Sequence, residues 1–117
     1  MFLRLRRCAF ESAAVDSVDM NFGPWSPLHA AQVPASPGVL QVRREHGLVV
    51  YPRGKSAMVH YAAAEDLQAA AAAMAAARPD AAWLVRCNRE PVADPRAAAD
   101  RLIAEFAERF GAPPRPG

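Results

Sequence analysis

The chain has 117 residues, 52% of them hydrophobic, and a formal net charge of +2. This length fits one domain, and so small a charge does not by itself indicate a nucleic-acid or membrane partner. It contains no run of 18 apolar residues and no signal-peptide core, so we expect a cytoplasmic protein without a membrane partner.

Residues 1–19 have no sustained hydrophobic period and are predicted to be a loose N-terminal extension. A single domain is predicted over residues 20–112, with a loose tail at 113–117. Within the domain, residues 23–38 are rich in proline and serine, which predicts a turn-prone lead-in. Three of its side chains are expected to anchor on the core: Trp25, Leu28 and Val33.

Short apolar runs separated by turn residues predict an antiparallel meander. Its three strands are Val39–Arg43, Leu48–Tyr51 and Ser56–Tyr61. Alternation in the third strand puts Ala57, Val59 and Tyr61 on one face, and Met58 and His60 on the other. Trp83–Cys87 alternates in the same way and is predicted to be a fourth strand.

Two helices are predicted from their end signals and apolar stripes. The first begins at Glu65 and Asp66 and ends near Arg78, because a proline follows. The second has Asp94 as its cap and Gly111 as its C-terminal stop. Its core stripe is predicted to be Leu102, Ile103, Phe106 and Phe110. The fold class is therefore α+β: a small antiparallel sheet of about four strands packed with two principal helices.

Several motifs that suggest catalysis lack the residues or the spacing that catalysis would require. Gly54-Lys55-Ser56 lacks the upstream glycine and the following helix of a phosphate-binding loop, so a hairpin turn is favoured. Ser56 and His60 would lie about 13 Å apart along one strand, too far for a catalytic pair. Two cysteines without CxxC spacing favour free thiols, with Cys87 buried on its strand. Three side chains remain as catalytic candidates: Tyr51, His60 and Tyr61.

Basic residues on the strands and strand ends could form a surface that follows phosphates. The candidates for nucleic-acid binding are Arg43, Arg44, Arg53, Lys55, Arg86 and Arg89. The alternative is solvated arginine from coding bias, because Lys55 is the only lysine among 14 basic residues, a composition typical of a GC-rich bacterial-type genome. Both readings are open at this point.

The order strand–turn–strand, helix, strand and long helix resembles the GIY-YIG nuclease superfamily over residues 34–115. The first tripeptide of the family corresponds to Gly38-Val39-Leu40, and the closing helix with its Gly-x-Pro turn is similar to Leu102–Pro113. The second motif corresponds to His60-Tyr61-Ala62 followed by Glu65-Asp66-Leu67. A competing register makes Tyr51 the second tyrosine and 57–64 an insertion.

The resemblance also predicts which functional residues of the family this sequence lacks. The family's first catalytic tyrosine falls on Leu40, and the second falls on His60 in the first register. The helix arginine falls within 68–70, where none is present, and the metal-binding glutamate falls near Ala98 or Ala99. Without that carboxylate the metal ion that assists phosphoryl transfer has no anchor.

Three functions are compatible with the sequence. The first is a degenerate, non-catalytic GIY-YIG-like domain that binds nucleic acid or a protein partner. The second is an active GIY-YIG-like endonuclease with relocated catalytic groups, which would need a divalent metal. The third is a small structural or adaptor protein. No cofactor is expected for the first and third, and no residue is assigned as a metal ligand.

Overall fold

The strand Gly38–Arg44 is the centre of the fold. A computed structural model of the chain describes residues 21–116, and the extension predicted at 1–19 lies outside them. The strands are β1 (Ser26–Pro27), β2 (Gly38–Arg44), β3 (Val49–Tyr51), β4 (Gly54–Ser56), β5 (Met58–Ala64) and β6 (Trp83–Cys87). The helices are α1 (Leu67–Ala77) and α2 (Pro95–Phe110), and a 3₁₀ turn covers Leu28–Ala30.

Four strands form the main sheet in the order β1-β6-β2-β5, with every neighbouring pair antiparallel. β2 lies between β5 and β6, and both helices pack on it, so its apolar side chains are shielded on both faces of the sheet. Val39, Leu40 and Val42 are all fully buried. The structure therefore confirms an α+β fold with a small antiparallel sheet and two principal helices.

The predicted meander is wrong in its pairing. β2 pairs directly with β5, while β3 and β4 form a separate two-stranded hairpin. The predicted third strand combines the end of β4 with the start of β5. A physical reason is length: β5 offers seven residues to β2, whereas β3 has only three. Apolar alternation identifies strands but does not say which strands are partners.

The predicted alternation in β5 is also wrong. Pairing shifts between Val42 and Arg43, where Val42 faces His60 and Arg43 faces Met58, so β5 carries an extra residue. Such a bulge interrupts the two-residue period of a strand. As a result, Met58 and Tyr61 line the same groove beside α2 rather than opposite faces.

The helices cover opposite faces of the sheet. Trp83 shares a face with Arg44, its register partner, and lies under the guanidinium of Arg78 at the end of α1. Tyr61 shares the other face with Gln41 and contacts the ring of Phe106 in α2. α2 packs on β5 and β2. On the same face of the sheet, the area over β6 and β1 is therefore left for other side chains to cover.

Both helices begin and end as predicted. The carboxylates of Asp66 and Asp94 accept hydrogen bonds from the backbone N–H groups of Ala69 and Ala97, at 3.1 Å each. Pro95 occupies the first turn of α2, and Gly111 ends it in the left-handed conformation with φ of 86°. In the described part of the chain, neither helix is long and apolar enough to cross a bilayer.

The hairpin β3–β4 is fastened to the end of α2 and to the chain beyond it. The Arg53 side chain donates to the carbonyl oxygens of Ala107 and Glu108, at 3.5 and 2.5 Å. The Tyr51 hydroxyl donates to the Met58 carbonyl at 2.8 Å and accepts from the Arg115 N–H at 3.1 Å. These bonds place the residues just after α2 against the hairpin.

Candidate functional site

The part of the sheet that α2 leaves uncovered carries a cluster of arginines and aromatic rings. Arg43 lies over the ring of Trp25 with 4.3 Å between guanidinium carbon and ring centroid, and Arg86 lies over the same ring at 4.5 Å. Arg86 is also 5.0 Å from the ring of Phe22. We call this cluster the arginine–tryptophan face and define it as Phe22, Trp25, Gln41, Arg43 and Arg86.

Strand pairing explains why these residues meet. Gln41 and Arg86 are register partners on β2 and β6, and Arg43 lies two residues beyond Gln41 on the same face. The aromatic rings come from the lead-in, which runs beside β6. Phe22 forms an isolated bridge with Asn88, and the Gly23 N–H donates to the Cys87 carbonyl at 2.9 Å. Trp25 thereby reaches the sheet just before β1.

Hydrogen bonding fixes the orientation of Arg86. Its Nε donates to Gln41 Oε1 at 2.7 Å, and Gln41 is buried with 4% of its surface exposed. Because the neutral amide carries no charge, this bond orients the guanidinium without cancelling its positive charge. Within residues 21–116, neither Arg43 nor Arg86 forms an ion pair with a carboxylate.

The two guanidinium groups repel each other. Burial lowers the pKa of Arg86 from its ordinary value, and the charge of Arg43 lowers it further. Guanidinium groups nevertheless stay protonated in proteins, so the cluster holds two positive charges around one indole ring at neutral pH. A bound anion would relieve this repulsion, so the site favours negatively charged ligands.

A groove between the sheet and α2 lies next to this face, because Tyr61, which lines the groove, is the register partner of Gln41. It has a volume of about 420 Å³ and is lined by Met58, Tyr61, Leu102, Glu105 and Phe106, among others. Burial raises the pKa of Tyr61, an effect that Arg86 opposes and Glu105 and Tyr51 reinforce. Tyr61 is therefore a neutral phenol at physiological pH, able to donate a hydrogen bond.

The six basic candidates do not form one surface. Arg43 and Arg86 lie together, whereas Arg44 belongs to the opposite face of the sheet. The Arg53 side chain is hydrogen-bonded to a backbone carbonyl at the C-terminal end of α2, and Lys55 is exposed on β4. Arg89 is exposed beyond β6, with its backbone N–H bonded to the Asn21 carbonyl at 2.7 Å.

The three catalytic candidates are only partly brought together. Tyr51 and Tyr61 both pack on Phe106, with ring centroids 4.9 and 6.3 Å from it. Tyr51 is 3% exposed and its hydroxyl bonds to backbone atoms. His60 lies on the edge strand β5, where burial lowers its pKa, so it is neutral at pH 7 and adds no charge for a phosphate. Residues 21–116 contain no group of three or more side chains able to hold a metal ion.

Sequence reasoning identified Arg43 and Arg86 but missed their partners. Trp25 was expected only as a core anchor, and Phe22 and Gln41 were not considered. The rings come from residues before β1 that belong to no helix or strand, so no periodic signal links them to the sheet. An available signal is the polar Gln41 within the otherwise apolar run Val39–Val42, since a buried amide needs a partner.

Cys87 is half-buried on β6, and burial raises the pKa of its thiol. Because the thiolate is the reactive form, we expect slow reaction with a disulfide reagent at pH 8. In a Cys8→Ser variant, which leaves Cys87 as the single thiol, the native protein should react at least about tenfold more slowly than the same variant in denaturant. Equal rates in the two states would contradict the burial of this thiol.

No protein-family model matches the chain, and no curated protein or solved structure shows significant similarity to it. Nothing in these comparisons links the chain to the GIY-YIG superfamily. The site itself must therefore carry any argument about function.

Proposed function

We propose that this protein is a non-catalytic binding domain that takes single-stranded nucleic acid on the arginine–tryptophan face. The observation that carries the proposal is the pair Arg43 and Arg86, both stacked on Trp25 and without a carboxylate partner in residues 21–116. Such an arrangement presents fixed positive charge beside aromatic surface, the combination used by proteins that bind single strands.

Phosphates and bases would be recognised by different parts of the face. The two guanidinium groups would each take a phosphate oxygen through charge-assisted hydrogen bonds. Unpaired bases can stack on aromatic rings or on guanidinium planes, which Phe22, Trp25 and the arginines supply. The phenol of Tyr61, beside Arg86, offers a further hydrogen-bond donor in the adjoining groove.

A nucleic-acid strand suits this face better than a protein partner does. A protein partner would have to bring carboxylates to the centre of its interface, where aspartate and glutamate are depleted. Here the centre of the face holds two neighbouring arginines and a buried amide. Two cations make few phosphate contacts, so the affinity should be modest and should fall with salt.

The absence of catalysis is part of the proposal. Leu40, at the position of the first family tyrosine, is fully buried and offers no hydroxyl to a substrate. Tyr61 has a raised pKa, which disfavours the phenolate needed of a base. Oligonucleotides incubated with the protein and Mg²⁺ or Mn²⁺ should therefore remain intact, and metal-dependent cleavage lost in Tyr51→Phe would favour the nuclease alternative.

The test is a fluorescence-anisotropy titration of a labelled single strand of about 12 nucleotides, within the site sizes of single-strand binding folds. Arg43→Ala with Arg86→Ala should weaken binding at least about tenfold at low salt. The slope of log K against log salt should fall by about 1.4 units, since each lost phosphate contact on a single strand contributes about 0.7.

A charge-matched control is available outside the face and the groove. Lys55 on β4 and Arg96 on α2 are both exposed, so Lys55→Ala with Arg96→Ala removes the same net charge without changing the cluster. This control should retain most of the wild-type affinity and slope. Equal losses in the two double variants would mean that net charge alone drives binding, and wild-type protein that does not bind at low salt would refute the proposal.

A further inference from the structure

A second basic site lies on the opposite face of the sheet, at the end of α1. A cleft of about 380 Å³ opens between β2, β6 and the segment after α1. Its polar and aromatic lining consists of Arg44, His46, Arg78 and Trp83, and the remaining lining residues are Val59, Ala81, Ala82 and Pro116. We call it the arginine cleft. Its volume lies within the range of small-molecule sites, about 300–1,000 Å³.

The walls of the cleft are fixed by the backbone. Arg44 and Trp83 are register partners on β2 and β6, so their side chains leave the sheet on the same side. The Glu45 N–H donates to the Ala82 carbonyl at 2.9 Å, and the Arg44 N–H donates to the Ala57 carbonyl at 2.8 Å. These bonds hold Arg44 and Trp83 on rigid strands rather than on loops.

The side chains that line the cleft carry positive charge and no negative charge. Its lining contains two arginines and a histidine but no aspartate or glutamate. A nearby carboxylate, that of Glu45, lies 3.6 Å from His46 Nε2, and the His46 side chain is 84% exposed. The two arginines thus keep their charge for a ligand, which makes the cleft selective for anions.

Trp83 adds a planar apolar surface beside these charges. The exposed side chain of Arg78 lies over its ring, with 5.2 Å between guanidinium carbon and centroid. Since Arg78 is exposed, its guanidinium can move from the ring to a phosphate while an aromatic ligand takes its place. A ligand that matches both features carries a planar base and a phosphate.

We propose that the arginine cleft binds a nucleoside phosphate, with the base on Trp83 and the phosphate between Arg44 and Arg78. This site is separate from the arginine–tryptophan face, because the two lie on opposite faces of the sheet. The proposal therefore does not depend on the binding of a nucleic-acid strand.

Tryptophan fluorescence gives a direct test. The chain contains two tryptophans, so Trp25→Phe leaves Trp83 as the single reporter. ATP added to this variant should quench Trp83 fluorescence with a saturable curve. Tripolyphosphate, measured by calorimetry, should bind more weakly than ATP because it lacks the base. Absence of saturable quenching up to about 5 mM ATP, or equal affinity for tripolyphosphate, would overturn the proposal.

Variants locate the site. Arg44→Ala with Arg78→Ala should weaken ATP binding at least about tenfold, whereas Arg96→Ala with Arg109→Ala should leave it unchanged. If the first variant does not fold, Arg78→Gln alone, at an exposed position, should still weaken binding several-fold. Unchanged affinity in Arg78→Gln would overturn the assignment. Arg43→Ala with Arg86→Ala should leave ATP binding intact, which separates this proposal from the previous one.

Two sources could supply the same chemistry: a free nucleotide, or the phosphorylated end of a strand. Competition distinguishes them. A 5′-phosphorylated oligonucleotide that displaces ATP when its unphosphorylated counterpart does not would identify the strand end. Failure of both to displace ATP would identify the free nucleotide, and both results support a nucleoside phosphate site. Displacement by both strands alike would contradict recognition of a terminal phosphate.

Discussion

Replacement of Phe106 by alanine is expected to lower the free energy of unfolding by about 3–5 kcal/mol, the cost of a large-to-small change in a core. Phe106 is 6% exposed and lies at the centre of an aromatic cluster. Its ring centroid is 4.9 Å from that of Tyr51 and 4.5 Å from that of Phe110. It therefore joins α2 to the hairpin as well as to the sheet, and its loss would loosen both contacts.

Urea titration followed by circular dichroism measures this change. Phe106→Leu, which keeps most of the apolar volume, should cost about 1 kcal/mol. Glu108→Ala, an exposed position on the same helix, should alter stability by less than about 0.5 kcal/mol. A loss below about 1 kcal/mol for Phe106→Ala would mean that this face of α2 is not part of the core.

Gly38→Ala is expected to be nearly as damaging, although it adds only one methyl group. A Cβ at position 38 would lie 2.7 Å from Asn88 Cγ and closer still to its Oδ1. Asn88 cannot move away cheaply, because it is 3% exposed. Its Oδ1 accepts from the Val39 N–H at 2.8 Å, and its amide donates to the Glu90 carbonyl.

The expected loss for Gly38→Ala is about 2–5 kcal/mol, from overpacking and from a buried N–H left without a partner. A double-mutant cycle with Asn88→Ala isolates the clash. Because the alanine at position 88 frees the space, the double variant should be less destabilised than the sum of the single variants by at least about 1 kcal/mol. Additive losses would show that Gly38 is required for another reason.

Local signals predicted the helices and β6 well. Asp66, Asp94 and Gly111 act within one turn of their own helix, so their effects can be read from neighbouring residues. Trp83–Cys87 is a strand with the predicted bounds. The predicted core stripe of α2 is confirmed most clearly at Phe106, which is buried, while Leu102, Ile103 and Phe110 are half-buried.

Strand pairing, which depends on residues far apart in the sequence, could not be predicted in the same way. The pairing of β2 with β5 rather than β3 depends on competition between distant segments, and the bulge near Val42 appears only once that pairing exists. The candidate site depends on the same kind of information. Arg43 and Arg86 were identified as basic residues, but their meeting over Trp25 joins three segments that are far apart in the sequence.

The most direct test of the central proposal is to map the contact surface by NMR. Unlabelled single-stranded oligonucleotide is added to ¹⁵N-labelled protein, and changes in amide, indole and arginine Nε signals are followed. The largest changes are expected at Gln41, Arg43 and Arg86 and at the Trp25 indole N–H. Changes confined to the hairpin Val49–Ser56, or no changes at saturating oligonucleotide, would contradict it.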